Sequence, residues 1–223
     1  MKNVDLKIPT AWDQVTPDHL EIIVKGLSLN LQKEQLLFYI FRKISKIHLI
    51  NGRFYKGVKV LHIDQIIALQ ACKMLEFILG EIQPLSFSIF SDVDKNLVGL
   101  PFGKYYSAEV LIAQYQKSGK VDFLEKAVGA VSNDKFIYNQ IGINKIMIFW
   151  SGIRRYMQNL YPYILSQDSN DESSDYNPFI VLNKLLSVVN DDKPHDNEAI
   201  LLTDVHFVLT TLNKKYQDYD FKR

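Results

Sequence analysis

The segment KIHLINGRFYKGVKV, residues 46–60, contains the clearest turn signal in the chain. Asn51 and Gly52 tolerate the positive φ angles of a type I′ turn, which joins two antiparallel strands through a two-residue loop. A turn at this dipeptide also fixes the register of the strands and places His48 opposite Tyr55. The sequence therefore predicts a β-hairpin element over residues 46–60.

Alternation along the hairpin gives two faces of different chemistry. One face is predicted to join the core and carries Lys56 beside the apolar residues Ile47, Leu49, Phe54, Val58 and Val60. The other face carries Ile50 and five candidate contacts for a nucleic acid or a partner: Lys46, His48, Arg53, Tyr55 and Lys59. Cations beside aromatic rings bind phosphates and stack on bases. Lysines on an exposed hairpin also prevent edge-to-edge aggregation, and this second interpretation is the favoured one.

The positive charge of this region is local. Six basic residues and no acidic one lie between Arg42 and Lys59, whereas the whole chain of 223 residues has 26 basic and 25 acidic residues and a net charge of +1. A nearly neutral protein lacks the broad positive field that attracts nucleic acid from a distance. Any charge effect on binding must therefore come from the hairpin itself.

Helices are predicted on both sides of the hairpin. Thr16 and Pro17 begin the first one, as its N-cap and its first helical residue, and a second helix follows over residues 31–46. Asp64 is predicted to cap a third helix, which Gly80 ends. The hairpin is therefore expected to be an insertion between helices.

The strongest helical periodicity lies in residues 146–160, where apolar residues recur on one face. Further helical patterns occupy most of the second half of the chain, and 47% hydrophobic residues are enough to fill a sizeable core. The predicted fold class is mainly α, a single helical domain over residues 1–223 with a small β-hairpin insertion.

Residues 166–177, SQDSNDESSDYN, contain four acidic residues, four serines and no basic residue. Such a segment has too little apolar surface to bury in a core. The sequence predicts a flexible acidic loop here, which is a candidate contact segment for a partner.

The residues that could support catalysis are scattered. Phosphate-binding, dinucleotide-binding, zinc-protease and nucleophile-elbow motifs are missing from the sequence. Cys72 is the single cysteine, flanked by apolar residues, and is interpreted as a buried thiol. The pairs Asp171/Glu172 and Asp191/Asp192 lie in predicted loops, where nothing shifts a carboxyl pKa. We expect a non-enzymatic protein with no catalytic residue, no metal site and no cofactor.

Targeting and membrane signals are also missing from the sequence. The first residues, MKNVDLKIPTAWDQV, contain no apolar core of a signal peptide, and no apolar run reaches the roughly 18 residues of a membrane span. We therefore expect a soluble, intracellular protein without a membrane partner.

Three segments follow one another in the chain: IPTAWDQVTPDHLEIIVKGL at 8–27, FWSGIRRYMQNLYPYIL at 149–165, and NPFIVLNKLLSVVNDDKP at 177–194. Together they resemble uncharacterised proteins of Bacteroidetes phages and prophages. The resemblance is carried by Trp12, Gly152, Tyr161, Pro162 and Pro178.

The resemblance implies a structural protein or one associated with virion or tail assembly. Such a protein would act through contacts with other phage proteins or with itself, in the cytoplasm of the bacterial host or on the virion. The alternative is a nucleic-acid-binding accessory protein that uses the basic face of the hairpin.

Overall fold

A computed structural model describes residues 8–50, 53–57, 59–61, 65–165, 185–190 and 196–220. This part of the chain is mainly helical with one small antiparallel sheet, so the predicted fold class is confirmed. The predicted acidic loop at 166–177 and the turn residues Asn51 and Gly52 lie outside the described residues.

The helices are α1 Pro17–Leu27, α2 Lys33–Ser45, α3 Gln65–Met74, α4 Phe102–Ser118, α5 Val121–Val131, α6 Gln140–Leu160, α7 Pro162–Leu165, α8 at 185–189, α9 Asn197–Leu202 and α10 Val205–Asp220. Short 3₁₀ helices cover Trp12–Gln14 and Glu76–Leu79. The strands are β1 His48–Ile50, β2 Arg53–Lys56 and β3 Lys59–Leu61.

The ends of the first helices follow from local chemistry. Thr16 caps α1 as predicted, since its hydroxyl oxygen accepts from the backbone N–H of His19 at 3.2 Å, and Pro17 is the first helical residue. α2 ends where Lys46 takes the left-handed conformation at φ 55°. α3 ends at Met74, earlier than predicted, and the 3₁₀ helix continues the chain to Gly80.

The sheet has three strands in the order β1-β2-β3 rather than the two of a simple hairpin. The predicted register is confirmed, with His48 opposite Tyr55 and Leu49 opposite Phe54. Beyond Lys56 the chain returns as β3, and Gly57 has a positive φ of 62° at the start of this second turn.

The second turn corrects the predicted faces of the hairpin. Val60 pairs with Tyr55, and Lys59 pairs with Lys56. Directly paired residues of an antiparallel sheet lie on the same face. Position 59 therefore belongs to the Phe54 face and position 60 to the Tyr55 face, the reverse of the prediction. The prediction was wrong because it continued the alternation of one strand through a turn.

The chain divides into two compact units, one of Met1–Ile89 with Asn139–Gly152, the other of Phe90–Tyr138 with Ile153–Arg223. Whether they act as one domain over residues 1–223 stays a prediction.

Each unit has buried apolar side chains of its own. In the first unit Trp12 is fully buried and meets the Phe77 ring edge-to-face, with ring centres 5.4 Å apart. The apolar face predicted for residues 146–160 is buried at Ile146, Phe149, Trp150, Ile153 and Met157, which confirms the periodicity. Leu160, the last residue of α6, is exposed.

Candidate functional site

The five predicted contact residues do not all lie together. His48, Arg53 and Tyr55 share one face of the sheet, which we call the outer sheet face. His48 and Arg53 are exposed, and Tyr55 is half-buried directly opposite His48. Lys46 is exposed at the end of α2, just before β1. Position 59 lies on the opposite face, so fewer cations than predicted adjoin Tyr55.

The opposite face of the sheet is only partly buried. Ile47 is buried as predicted, whereas Leu49 is 39% exposed and Phe54 is half-buried. The prediction that this whole face joins the core was therefore wrong at Leu49. The sheet contributes Leu49 and Phe54 to an open cleft instead.

This α2–α3 cleft has a volume of about 790 Å³. One wall comes from α2, the other from α3 and the 3₁₀ helix after it, and the sheet contributes the two side chains named above. The lining residues are Lys33, Glu34, Gln35, Leu37, Phe38, Leu49, Phe54, Ala68, Leu69, Cys72, Lys73 and Glu76. The volume lies within the range of roughly 300–1,000 Å³ that is typical of ligand pockets.

Aromatic contacts position the α2 wall of the cleft. The Phe38 ring meets the Phe54 ring edge-to-face with centres 6.4 Å apart, which connects α2 to β2. One helical turn further on, the guanidinium of Arg42 lies 5.8 Å from the centre of the Phe38 ring. A cation over an aromatic face is attracted by the negative electrostatic potential of that face, although the ring carries no net charge. Phe38 is therefore held by contacts on both sides.

The charged residues of the cleft stand at its rim. Lys33 of α2 and Glu76 of the 3₁₀ helix form an ion pair with a distance of 3.0 Å, and both side chains are about half exposed. Glu34 on the α2 wall and Lys73 on the α3 wall have no ion-pair partner among the residues that the structure describes. The carboxylate of Glu34 and the ammonium group of Lys73, one on each wall, can therefore pair with charges of a bound molecule.

An ordinary amphipathic helix buries its large apolar side chains, whereas α3 buries small residues and exposes several large apolar ones. Its small residues Ala68 and Ala71 are buried, while Ile66 is 64% and Leu69 is 61% exposed. Met74 at its end is exposed as well. Single exposed apolar residues are normal, but a continuous apolar patch marks a contact surface. The chain thus leaves large aliphatic side chains on the outside of the helix that forms one wall of the cleft.

Cys72 lies half-buried in the lining of the cleft. Its side chain is therefore more exposed than the buried thiol that the sequence predicted. Burial raises the pKa of the Cys72 thiol. The protonated thiol is a poor nucleophile and a poor metal ligand. Within the described ranges, no three His, Cys, Asp or Glu side chains converge as metal ligands would.

Sequence reasoning missed the cleft, although α3 carried a signal. The stretch QIIALQACKM has large apolar residues at positions 66, 67, 69 and 74. These positions point in more than one direction around a helix, so a single buried face cannot cover them. The sequence could have indicated an additional apolar contact for α3 but not the residues opposite it.

No helix within the described residues has both the length and the hydropathy needed to cross a membrane. No family model, no curated protein and no solved structure matches this chain.

Proposed function

We propose that the protein acts without catalysis, through protein–protein contacts made at the α2–α3 cleft. The observation that carries the proposal is that Leu69 lines the cleft and is 61% exposed, on a helix whose alanines are buried. Covering an aliphatic side chain completely is worth about 1.5–3 kcal/mol. A partner that covers Leu69 in the cleft would therefore gain part of its binding free energy from this residue.

The biological setting of this contact comes from the resemblance to phage and prophage proteins. A structural role or a role in virion or tail assembly fits a protein with an open apolar cleft on its surface. The partner would then be another phage or assembly protein, or a second copy of the chain. An assembly protein needs binding energy at its surface rather than a reactive group.

Site-specific cross-linking tests the proposal. A photoreactive amino acid replaces Leu69 in the full-length protein, and irradiation is carried out in a lysate of the cells that express it. We expect a discrete cross-linked protein that is lost when Leu49→Ser, a change at another exposed residue of the cleft lining, is added. The matched control places the same amino acid at Ile137, which is 77% exposed in the other unit. Equal cross-linking at both positions, or none at Leu69, would contradict the proposal.

A second candidate function uses the outer sheet face. The paired ring side chains of His48 and Tyr55, with Arg53 on the same face, keep the combination that binds single-stranded nucleic acid. Because position 59 lies on the opposite face of the sheet, fewer phosphate contacts are expected than the sequence predicted. Two contacts, from Lys46 and Arg53, predict a log–log salt slope of only about −1.4 to −1.8.

Titration with labelled single- and double-stranded oligonucleotides separates the two functions. If this face binds nucleic acid, Tyr55→Ala should lower the affinity by roughly 1–3 kcal/mol on single strands. The double variant Lys46→Ser, Arg53→Ser should flatten the salt dependence. We expect no binding at micromolar protein, which would leave the protein-contact proposal in place.

A further inference from the structure

We propose that the α2–α3 cleft receives the apolar face of an amphipathic helix from a partner protein, with a basic flank of that helix against Glu34 and an acidic flank against Lys73. The inference rests on the proposed function and specifies the chemistry of the partner. It is carried by the shape of the cleft and by the placement of its charges.

The shape of the cleft fits a helix. Two helices, α2 and α3, form its walls, and Leu49 and Phe54 of the sheet complete its apolar lining. The ten residues of α3 span about 15 Å, which equals about three turns of a partner helix laid beside it. An amphipathic helix of this length presents two or three apolar anchors on one face, the pattern of helix-in-groove recognition.

The exposed residues of α3 supply the contact for those anchors. Leu69 lines the cleft and is 61% exposed, so it remains accessible to an occupant. Ala68, one residue before it, is buried and keeps the cleft wide at this level because its side chain is small. Phe38 stands on the other wall, held between Phe54 and Arg42. A leucine of the partner would therefore fit between an aromatic and an aliphatic wall.

The rim charges select the flanks of the partner. Lys33 and Glu76 neutralise each other, which leaves Glu34 on α2 and Lys73 on α3 as the charges that an occupant can pair with. A helix with flanks of a single sign would place one like charge against the rim. Only a helix with one basic and one acidic flank matches both walls, and like-charge contacts at an interface disfavour the other arrangements.

Three labelled peptides test the inference. Each has about 15 residues, carries the same leucine stripe and is stapled to be helical, since short free helices are marginal in water. The peptides differ in their flanks, which are lysine on both sides, glutamate on both sides, or lysine on one and glutamate on the other. Binding to the full-length protein is measured by fluorescence anisotropy. Reversing the chain direction exchanges the two flanks, so the mixed peptide matches the rim in one of its two directions and can bind in that one.

We expect the mixed peptide to bind the wild-type protein about three- to tenfold more tightly than either single-sign peptide, because it replaces one like-charge contact at the rim with an ion pair. Lys73→Glu makes both walls acidic and should transfer the preference to the lysine peptide. Glu34→Lys makes both walls basic and should transfer it to the glutamate peptide. The matched controls Lys126→Glu and Glu125→Lys change the net charge equally on exposed positions of α5 and should leave the order unchanged.

A separate variant tests the apolar contact. Leu69→Ser should weaken all three peptides about tenfold, because it removes a contact common to them. Ile137→Ser, at an exposed position in the other unit, should leave the affinity of the three peptides unchanged.

The inference is overturned if no peptide binds saturably, or if the charge reversals leave the order of the peptides unchanged. Binding of the protein to phosphatidylglycerol vesicles instead of peptides would assign the cleft to a lipid surface. A concentration-dependent dimer that Leu69→Ser dissolves would assign it to a second copy. A discrete cross-link at position 69 without the expected peptide order would reject the helix and keep the proposed function.

Discussion

The phenolic oxygen of Tyr161 lies 2.7 Å from Nδ1 of His206, and Nε2 of the same ring lies 2.6 Å from the backbone oxygen of Asn96. A backbone carbonyl oxygen only accepts hydrogen bonds, so Nε2 must carry a proton. In the neutral ring Nδ1 is then the acceptor of the Tyr161 hydroxyl. His206 thus connects α10 to the segment before α4 and to the residue between α6 and α7.

Replacing Tyr161 with phenylalanine removes the donor to Nδ1 of His206. We expect the free energy of unfolding to fall by about 1 kcal/mol, the usual net value of one hydrogen bond. Tyr163→Phe is the matched control on α7 and should change stability little. Nitrogen chemical shifts should show that Nε2 of His206 carries a proton in the wild type. The opposite tautomer would contradict the hydrogen-bond assignment.

Gly152 of α6 permits a close approach of another segment. A Cβ atom at this position would lie 3.0 Å from the backbone oxygen of Gln83 and 3.1 Å from Cα of Pro84. Because both atoms belong to the backbone, they cannot turn aside as a side chain would. We expect Gly152→Ala to destabilise the protein by about 1–3 kcal/mol, the usual cost of overpacking.

Gly129 of α5 provides the control, since no atom lies within 4 Å of a Cβ built there. Gly129→Ala should stabilise the protein by about 0.5–1 kcal/mol through helix propensity alone. Denaturant unfolding of both variants checks the pair. A Gly152→Ala protein as stable as the wild type would show that the segment at Gln83 can move away.

Arg154 and Glu109 form a partly shielded ion pair. Nε and Nη2 of Arg154 lie 2.8 and 2.7 Å from the same oxygen of Glu109, and both side chains are less than a third exposed. Arg154→Met would leave the Glu109 carboxylate without this partner. We expect a loss of about 1–3 kcal/mol in unfolding free energy, because the charge keeps its desolvation cost.

The exposed pair of Lys25 and Glu21 on α1, with a distance of 3.2 Å, is the surface comparison, in which Glu21 also keeps its ion pair with Lys145. Lys25→Met should cost only about 0.3–0.5 kcal/mol, as for other surface pairs one helical turn apart. Equal effects of the two variants would show that shielding does not strengthen the Arg154 pair.

Glu21 should make the unfolding free energy depend on pH in the acid range. The hydrogen bond from Lys145 is the main cause that lowers the pKa of the Glu21 carboxyl, and Lys25 adds to it. A lowered folded-state pKa gives stability that is complete above the unfolded value of about 4.3 and is lost as the pH falls through the folded value.

Denaturant unfolding from about pH 7 to about pH 3 tests this expectation. The difference in stability between the wild type and Glu21→Gln should shrink as the pH falls through this window. Lys145→Met should reduce the same pH dependence, since it removes the main cause. A difference that stays constant with pH would contradict the assignment to Glu21.

Local signals determined several elements correctly. Thr16 and Pro17 begin a helix because the cap and the missing N–H act within a few residues. The register that pairs His48 with Tyr55 follows from the length of the turn between them. The buried face of α6 follows from the spacing of its own apolar residues. In each case the physical cause lies within one element.

The prediction of the two hairpin faces was wrong after Lys56, where a second turn changes the alternation of the side chains. The turn that begins at Gly57 brings Lys59 opposite Lys56, and no periodicity in residues 53–60 distinguishes a continued strand from a turn. A single glycine such as Gly57 is compatible with a continued strand and with a turn. The strand pairing decided which face each of the last residues occupies.

The sequence by itself determined that the protein is mainly helical with a small sheet, and which residues form the strongest apolar faces. Only the tertiary structure decided that Ala68 and Ala71 of α3 face inward while Ile66 and Leu69 face outward. The residue types of α3 allow several orientations, because apolar side chains occur on more than one side. Packing against α2, whose residues are distant from α3 in the chain, favours one orientation and gives the cleft its two helical walls.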